Sequence, residues 1–513
     1  MSRYRPAIFL VPILLIQIFL SLPRLNDPNL DGRLHWYWCN AFFLLKAKHS
    51  NTPPPPELAG TRADALRFFG MANYAYDAGG KPVDIRLYSH HPILTPTLFR
   101  LYTRMFGYDT WVPRSFMLIL SLLTTWVLFA FLRAELREDR TCAFLVLLYT
   151  LLPLYFMYMD QWKDENMGTL LVLLCFYLLT RAPVSGLYRA LFLICFFLVF
   201  QAAWMSYYSA PFILLYLYRK RNHRGWERLH VYAAGVLIVS VGLNFAVLYQ
   251  LGFNWTEIRA IGAGRLSGGL NRIGVSDWAL RQWGYLQTNF GDINLALYGM
   301  GMGFLLLRRK VSSSLLLFAS FTFTASLLCH VGLFRSLSWI HHYVQWSFGP
   351  AYVLLLAGIV SDLRKVFPEN GAARTIQAAV MITLFVFTAA GSRQFEKSIR
   401  SSTFGHVSDL DSIRTLQRRL LVFSDGRSGP VDWWSGPVID LARDPLFQGR
   451  SDIGPIERIE TLRDPDPKRD VLVVLNAREA LATLPAYLEE RFGVTGLRAV
   501  RRSHSFTFFE MLR

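Results

Sequence analysis

The chain has 513 residues, 53% hydrophobic and 15% aromatic, and only 18% of them are charged. Soluble globular domains carry about 25% charged residues, so an ordinary water-soluble protein is excluded and lipid is the expected solvent for much of the chain. The net charge of +18 does not mark a nucleic-acid-binding protein, because the basic residues cluster between apolar runs, the pattern of membrane topology.

A membrane-spanning helix needs ~20 apolar residues. In chain order, eleven runs reach or approach that length, at 7–23, 111–132, 141–157, 167–181, 188–204, 206–218, 231–250, 293–307, 311–330, 343–361 and 374–391. The first follows Arg3 and Arg5, and no small-residue cleavage site comes after it, so it reads as an uncleaved span and not a signal peptide. With the N-terminus in the cytoplasm, the predicted inner loops carry Arg133, Arg137 and Arg140, then Arg181 and Arg189, then the basic run from Arg219 to Arg228, then Arg308, Arg309 and Lys310, then Arg364, Lys365 and Arg374. The short outer loops carry little beyond Lys163 and Arg335. One span more or fewer would reverse this bias downstream. Of the five cysteines, Cys39, Cys142, Cys175, Cys195 and Cys329, none stands at metal-ligand spacing, so neither a disulfide framework nor a zinc site is supported.

Three outer segments are too long to be simple connectors. The organisation expected is a transmembrane domain over 1–391, with a first outer loop at 24–108 and a second at 251–292, followed by a small soluble outer-face domain over 392–513. In the first loop Leu34, Trp38, Phe42 and Leu45 recur at helical spacing, which predicts an amphipathic helix lying at the membrane interface. Pro53–Pro56 break it. A second helix is expected over about 63–76 and a third over about 93–106. In the tail, 420–423, 470–475 and 505–509 are strand-like, and 477–491 is helical with Gly493 near its cap. The fold class is therefore mainly α: a polytopic bundle of about eleven spans with outer-face interfacial helices and a small C-terminal α/β domain.

Residues fit for chemistry sit beside span ends on the outer side. Asp31, in Asn29-Leu30-Asp31-Gly32-Arg33-Leu34-His35-Trp36, is either a helix N-cap or a general base for an acceptor hydroxyl, and both roles are compatible. His35 is a further candidate for substrate contact. His90 and His91, followed by Pro92, form either an interfacial turn or a phosphate- or sugar-recognising imidazole site. Asp160, Lys163, Asp164 and Glu165 crowd one short loop. Helix N-terminal charge accounts for one or two of the acids; a cluster orienting the acceptor, or holding a divalent cation through oxygen, accounts for all three. Arg335 with His341, His342, Tyr343 and Gln345 is either an interfacial belt or a phosphate clamp. The second outer loop adds Arg259, Arg265, Arg272 and Arg281 among glycines, consistent with a basic cover.

This layout resembles the GT-C integral membrane glycosyltransferases, near the bacterial aminoarabinose and galacturonic acid transferases and the protein O-mannosyltransferases. Asp31 matches the family's first acid after the first span. His91-Pro92 matches its basic-Pro motif, with Ile93 where a second proline often stands. Asp164 matches the acid before the fourth span, with Glu165 and Asp160 as close rivals, and Gly32 stands where a second acid often follows the first. The resemblance implies an inverting transferase that moves a sugar from a polyprenyl-phosphate donor to a hydroxyl of a glycan, lipid or protein. It also implies a plasma (inner) membrane location with the site and the tail on the periplasmic, outer face. No nucleotide sugar is expected at a site facing away from the cytoplasm, and a divalent cation is the one cofactor left open. Two rivals are a transporter or flippase of lipid-linked sugars and a non-catalytic envelope assembly protein. Transporters place ionisable residues at mid-membrane, whereas the span centres here hold almost none.

Overall fold

Among the described residues, each of the eleven apolar runs is mainly helical. The computed structural model describes residues 5–25, 37–54, 56, 62–72, 74–76, 82–84, 92–109, 111–250, 256, 274–307, 314–333, 335, 338, 342–366, 371–402, 419–423, 456–458, 470–475, 485–486, 488–502 and 506–512. The chain divides into two compact units: Met1–Arg24, Tyr88–Thr95 and Ser115–Lys397 form the first, and Leu25–Leu87, Pro96–Arg114 and Ser398–Arg513 the second.

In the first unit, α1 (Arg5–Leu25), α5 (Trp111–Leu136), α6 (Asp139–Leu151), α7 (Pro153–Tyr158), α8 (Asp164–Leu179), α9 (Gly186–Ala202), α10 (Ala210–Lys220) and α11 (Leu229–Gln250) come in order. After the second long loop follow α12 (Val275–Phe290), α13 (Asp292–Leu307), α14 (Leu315–Leu333), α15 (Phe348–Val366) and α16 (Gly371–Ser402). Among the described residues, four helices are long and apolar enough to cross a membrane: Ile8–Leu25, Trp111–Leu136, Leu229–Val247 and Leu315–Leu333. Their surroundings differ. The α5 and α14 windows are 67% and 61% buried, so these helices are central, whereas those of α1 and α11 are each 22% buried. Exposed Ile8 and Phe19 on α1 and Val239 on α11 are the side chains such peripheral helices turn to lipid.

One run expected to be continuous is broken, and one expected break is present, each for a local reason. The run 141–157 splits at Leu152, whose ψ of 133° is extended, and α7 restarts with Pro153 in its first turn. Proline lacks the amide hydrogen that would continue the ladder, and it pushes its predecessor out of the helical region. The boundary between 188–204 and 206–218 is set by extended Ala203, followed by a 3-10 turn over Trp204–Ser209. Gly168 of α8 packs on that turn: a Cβ there would stand 2.5 Å from Ser206 Oγ and 2.9 Å from Ala203 Cβ. The Tyr155 ring sits between Tyr149 and Trp346, tilted against both at centroid distances of 4.2 and 4.3 Å, and its hydroxyl donates to the Trp346 carbonyl.

The second unit holds α2 (Tyr37–Asn51), α3 (Arg62–Phe68) and most of α4 (Leu94–Phe106), the three helices expected in the first outer loop, with α3 shorter than expected. A short antiparallel hairpin of β1 (Tyr74–Tyr76) and β2 (Pro82–Asp84) follows α3. Gly70 sits at φ +72°, and a Cβ there would run into the Pro96 carbonyl, so only glycine allows this approach. The tail is a five-stranded mixed sheet of β3 (Arg419–Phe423), β4 (Ile456–Arg458), β5 (Asp470–Leu475), β6 (Gly496–Arg502) and β7 (Phe506–Leu512), in the order β4-β3-β5-β7-β6. The three strands expected from the sequence are present, and β4 and β6 join them. The pairs β3/β4 and β3/β5 are parallel; β5/β7 and β6/β7 are antiparallel. Gly493, at φ +61°, follows the helical residues 488–492 as the expected cap.

Candidate active site

The acidic turn between α7 and α8 is built from both ends. At its start, the Arg24 guanidinium at the end of α1 closes over the last turn of α7. Its Nη1 donates to the Phe156 carbonyl at 2.9 Å and lies 3.4 Å from the Met157 carbonyl and 3.5 Å from Asp160 Oδ1. These carbonyls belong to the helix end, where no intrahelical donor reaches. The guanidinium also sits 4.9 Å above the Phe156 ring. The pair is nearly removed from water, with side-chain exposures of 6% for Arg24 and 0% for Asp160.

At the other end, Lys163 is extended (φ −146°, ψ 115°) and α8 begins at Asp164. Asp164 and Glu165 thus occupy the first turn of α8, where a helix N-terminus favours negative charge. Lys163 is buried with its Nζ 5.0 Å from the centre of the Tyr158 ring. The Glu165 carboxyl lies in the first turn of α8, ahead of the apolar run. Burial first, together with the neighbouring Asp164, raises it to about 7 against an opposing pull from Lys163.

Below the turn, buried Asn166 locks α8 to α5. Its Nδ2 donates to Ser121 Oγ at 2.7 Å, and its Oδ1 accepts from Thr124 Oγ1 at 3.2 Å. Ser121 Oγ in turn donates to the Met159 carbonyl at 2.7 Å. The Trp162 indole stacks on Phe116, also on α5, at 6.1 Å. The turn is therefore pinned by α1 on one side and by α5 on the other. A small cavity of about 10 Å³, roughly the room one water needs, lies below the turn, lined by Gln17, Thr125, Tyr149 and Asn166 among others.

The structure brings Asp160, Lys163, Asp164 and Glu165 into this single turn. It distinguishes the three acids, because Asp160 is engaged by Arg24 while Asp164 and Glu165 start a helix. Arg335 is partly buried, and its carbonyl accepts from Ser338 Oγ at 3.2 Å. His342 and Tyr343 lie in a 3-10 turn over His342–Gln345. Asp31, His35, His90, His91 and His341 lie outside the described residues. Among the described residues no group of three His, Cys, Asp or Glu side chains is placed to hold a metal ion.

Two features escaped the sequence reading. Arg24 was available as a lone arginine at the end of the first apolar run, on the side where the sequence pattern expects few basic residues. The second is a buried amide network. Trp278 Nε1 donates to Ser338 Oγ (2.9 Å) and Gln282 Nε2 to the Ser338 carbonyl (2.7 Å). Gln345 Nε2 donates to the Gln282 carbonyl (2.9 Å), and Asn289 Nδ2 to Gln345 Oε1 (3.1 Å). This network fastens α12 to Ser338 and Gln345.

Residues 90–247, which contain the acidic turn, match the model of the dolichyl-phosphate-mannose-protein mannosyltransferase family. Over 99% of this chain the fold is similar to that of ArnT from Cupriavidus metallidurans bound to undecaprenyl phosphate, covering 98% of that protein at a TM-score of 0.58 and 11% identity. The chain has the fold of the GT-C membrane glycosyltransferases. The same GT-C architecture is shared with the oligosaccharyltransferase AglB from Archaeoglobus fulgidus, in complex with an inhibitory peptide and a dolichol-phosphate. That likeness covers 92% of this chain and 70% of AglB, at a TM-score of 0.50 and 11% identity. No curated protein matches the sequence. The family match and the GT-C fold agree on a glycosyltransferase embedded in a membrane.

Proposed function

We propose that this GT-C protein is an inverting glycosyltransferase that moves a sugar from a polyprenyl-phosphate donor to a hydroxyl acceptor at the outer membrane–water interface. The observation that carries the reading is the acidic turn Asp160–Glu165, built into the start of α8 inside the family-matched segment and braced by Arg24. In this reading Asp31 takes the acceptor hydroxyl proton as the acceptor oxygen bonds to the anomeric carbon. The bond from that carbon to the phosphate oxygen breaks on the opposite face, which inverts the centre, and the polyprenyl phosphate leaves with the bonding pair. Asp164, with Glu165 beside it, orients the acceptor or Asp31. His90, His91, Arg335, His341, His342 and Tyr343 supply donors to the phosphate. Asp160 acts through Arg24, holding the turn in shape.

The test uses purified protein with a panel of radiolabelled polyprenyl-phosphate sugars and follows release of the sugar from the lipid. One donor is expected to turn over with the wild type, and Asp31→Asn is expected to abolish turnover while expression and membrane insertion persist. Full activity in Asp31→Asn removes Asp31 as the base, and donor binding without turnover by any acceptor favours a transporter.

A further inference from the structure

The helix α4 (Leu94–Phe106) presents two surfaces that meet. One face is buried through Thr95, Phe99 and Thr103. The opposite face is apolar and exposed: Leu101 is 48% and Met105 78% exposed, and Phe68 at the end of α3 is 65% exposed. Along the edge of this face run Arg100 and Arg104, joined by Arg67 of α3. Arg100 is anchored: its Nη1 donates to the Phe68 carbonyl at 2.8 Å and its Nε to Asn51 Oδ1 at 3.0 Å. Its guanidinium is held below the usual arginine range by burial first, then by the charges of Arg104 and Arg67. Arg104 stands one turn farther along the same helix, and Arg67 immediately precedes the Phe68 whose carbonyl Arg100 holds.

A soluble protein would gain nothing from gathering like charges around an exposed apolar stripe. An amphipathic helix with arginines beside its apolar face is the arrangement that inserts side chains between lipid tails and meets headgroups with the cations. Three guanidiniums, each a forked donor for phosphate oxygens, outnumber the carboxylate of Asp64, which lies 3.4 Å from Arg67, and give the surface its charge complementarity. We propose that Arg67, Arg100 and Arg104, with Met105, Leu101 and Phe68, form a docking surface for anionic phospholipid headgroups of the surrounding leaflet. The surface binds bulk anionic lipid, a role separate from the sugar donor. It therefore stands independently of the proposed transfer reaction.

The test compares the full-length protein with the Arg67→Gln/Arg104→Gln variant, leaving Arg100 and its structural bonds intact. Both are solubilised from vesicles of equimolar phosphatidylglycerol and phosphatidylcholine, and retained lipid is counted by native mass spectrometry. Each arginine near an anionic surface contributes about a fivefold preference, so phosphatidylglycerol should be clearly enriched on the wild type and depleted at least threefold on the variant. Equal enrichment on both proteins overturns the proposal. A second measurement needs no charge change. A fluorophore on Met105→Cys should be quenched by nitroxide-labelled lipid in reconstituted vesicles and protected from aqueous iodide. The reverse pattern places the stripe in water and overturns the proposal.

Discussion

Replacing Arg24 by glutamine tests whether the acidic turn is held by a charge or merely by packing. Arg24 and Asp160 lie 3.5 Å apart with almost no solvent contact. At the effective dielectric of about 20 that describes protein sites, their attraction is about 5 kcal/mol. Removing one partner of such a pair typically costs about 3–5 kcal/mol, because the remaining charge is stranded away from water. Arg24→Gln additionally weakens the cover over the Phe156 and Met157 carbonyls, though a glutamine amide still offers a donor. The expected outcome is a fall of several degrees in the thermal midpoint of the detergent-solubilised protein, followed by fluorescence-detected size exclusion after heating. The decisive comparison is the double variant Arg24→Gln/Asp160→Asn, in which the stranded charge is gone. It should be more stable than Arg24→Gln alone, with a coupling of at least about 2 kcal/mol between the two sites. If the two losses simply add, the pair is not an interacting unit and the bracing role assigned to Arg24 is wrong.

Three further outcomes follow from the same turn. Glu165 titrates near 7 in the folded protein against an ordinary 4.5. Its protonated form therefore favours folding below about 4.5, and that contribution is lost as pH rises through about 7. Glu165→Gln should flatten the decline of the thermal midpoint between pH 5 and 8 (roughly the window of that shift), and an unchanged slope would show that another group sets it. Asn166→Leu removes the partner of Ser121 and Thr124 inside the bundle and should cost about 1–3 kcal/mol. Turnover should fall more than the loss of folded protein explains if the turn must be positioned, and a matching fall would make the residue purely structural. Gly168→Ala places a methyl against Ser206 and Ala203 and should destabilise by about 1–3 kcal/mol. A neutral result would mean that α8 and the 3-10 turn can separate freely.

Much of the site's address was legible from local sequence. The crowding of Asp160, Lys163, Asp164 and Glu165 ahead of an apolar run marked the turn, and helix-terminus electrostatics explained why acids belong there. Which acid does what was not legible, because the three are equivalent by spacing. Only the arrival of Arg24 from 136 residues away separates Asp160 from the other two. The Gln282–Gln345 bond, across 63 residues, was hidden for the same reason.

The sequence by itself determined that this is a lipid-embedded helical protein. A bilayer leaves no water to satisfy backbone groups, so a long apolar run has little choice but helix, and the described part of each of the eleven runs is mainly helical. It also determined three of the tail strands, whose short apolar runs are a local signal; the α7 break is equally local, since proline acts on its immediate neighbours, but the continuous apolar run 141–157 masked it. The tertiary structure decided the rest. The pairing of Arg24 with Asp160, the clasp of Asn166 on Ser121 and Thr124, and the gathering of Arg67 with Arg100 and Arg104 all join residues far apart in the chain. Such contacts are selected by how the helices pack, and local periodicity carries no record of which neighbour a buried charge will meet.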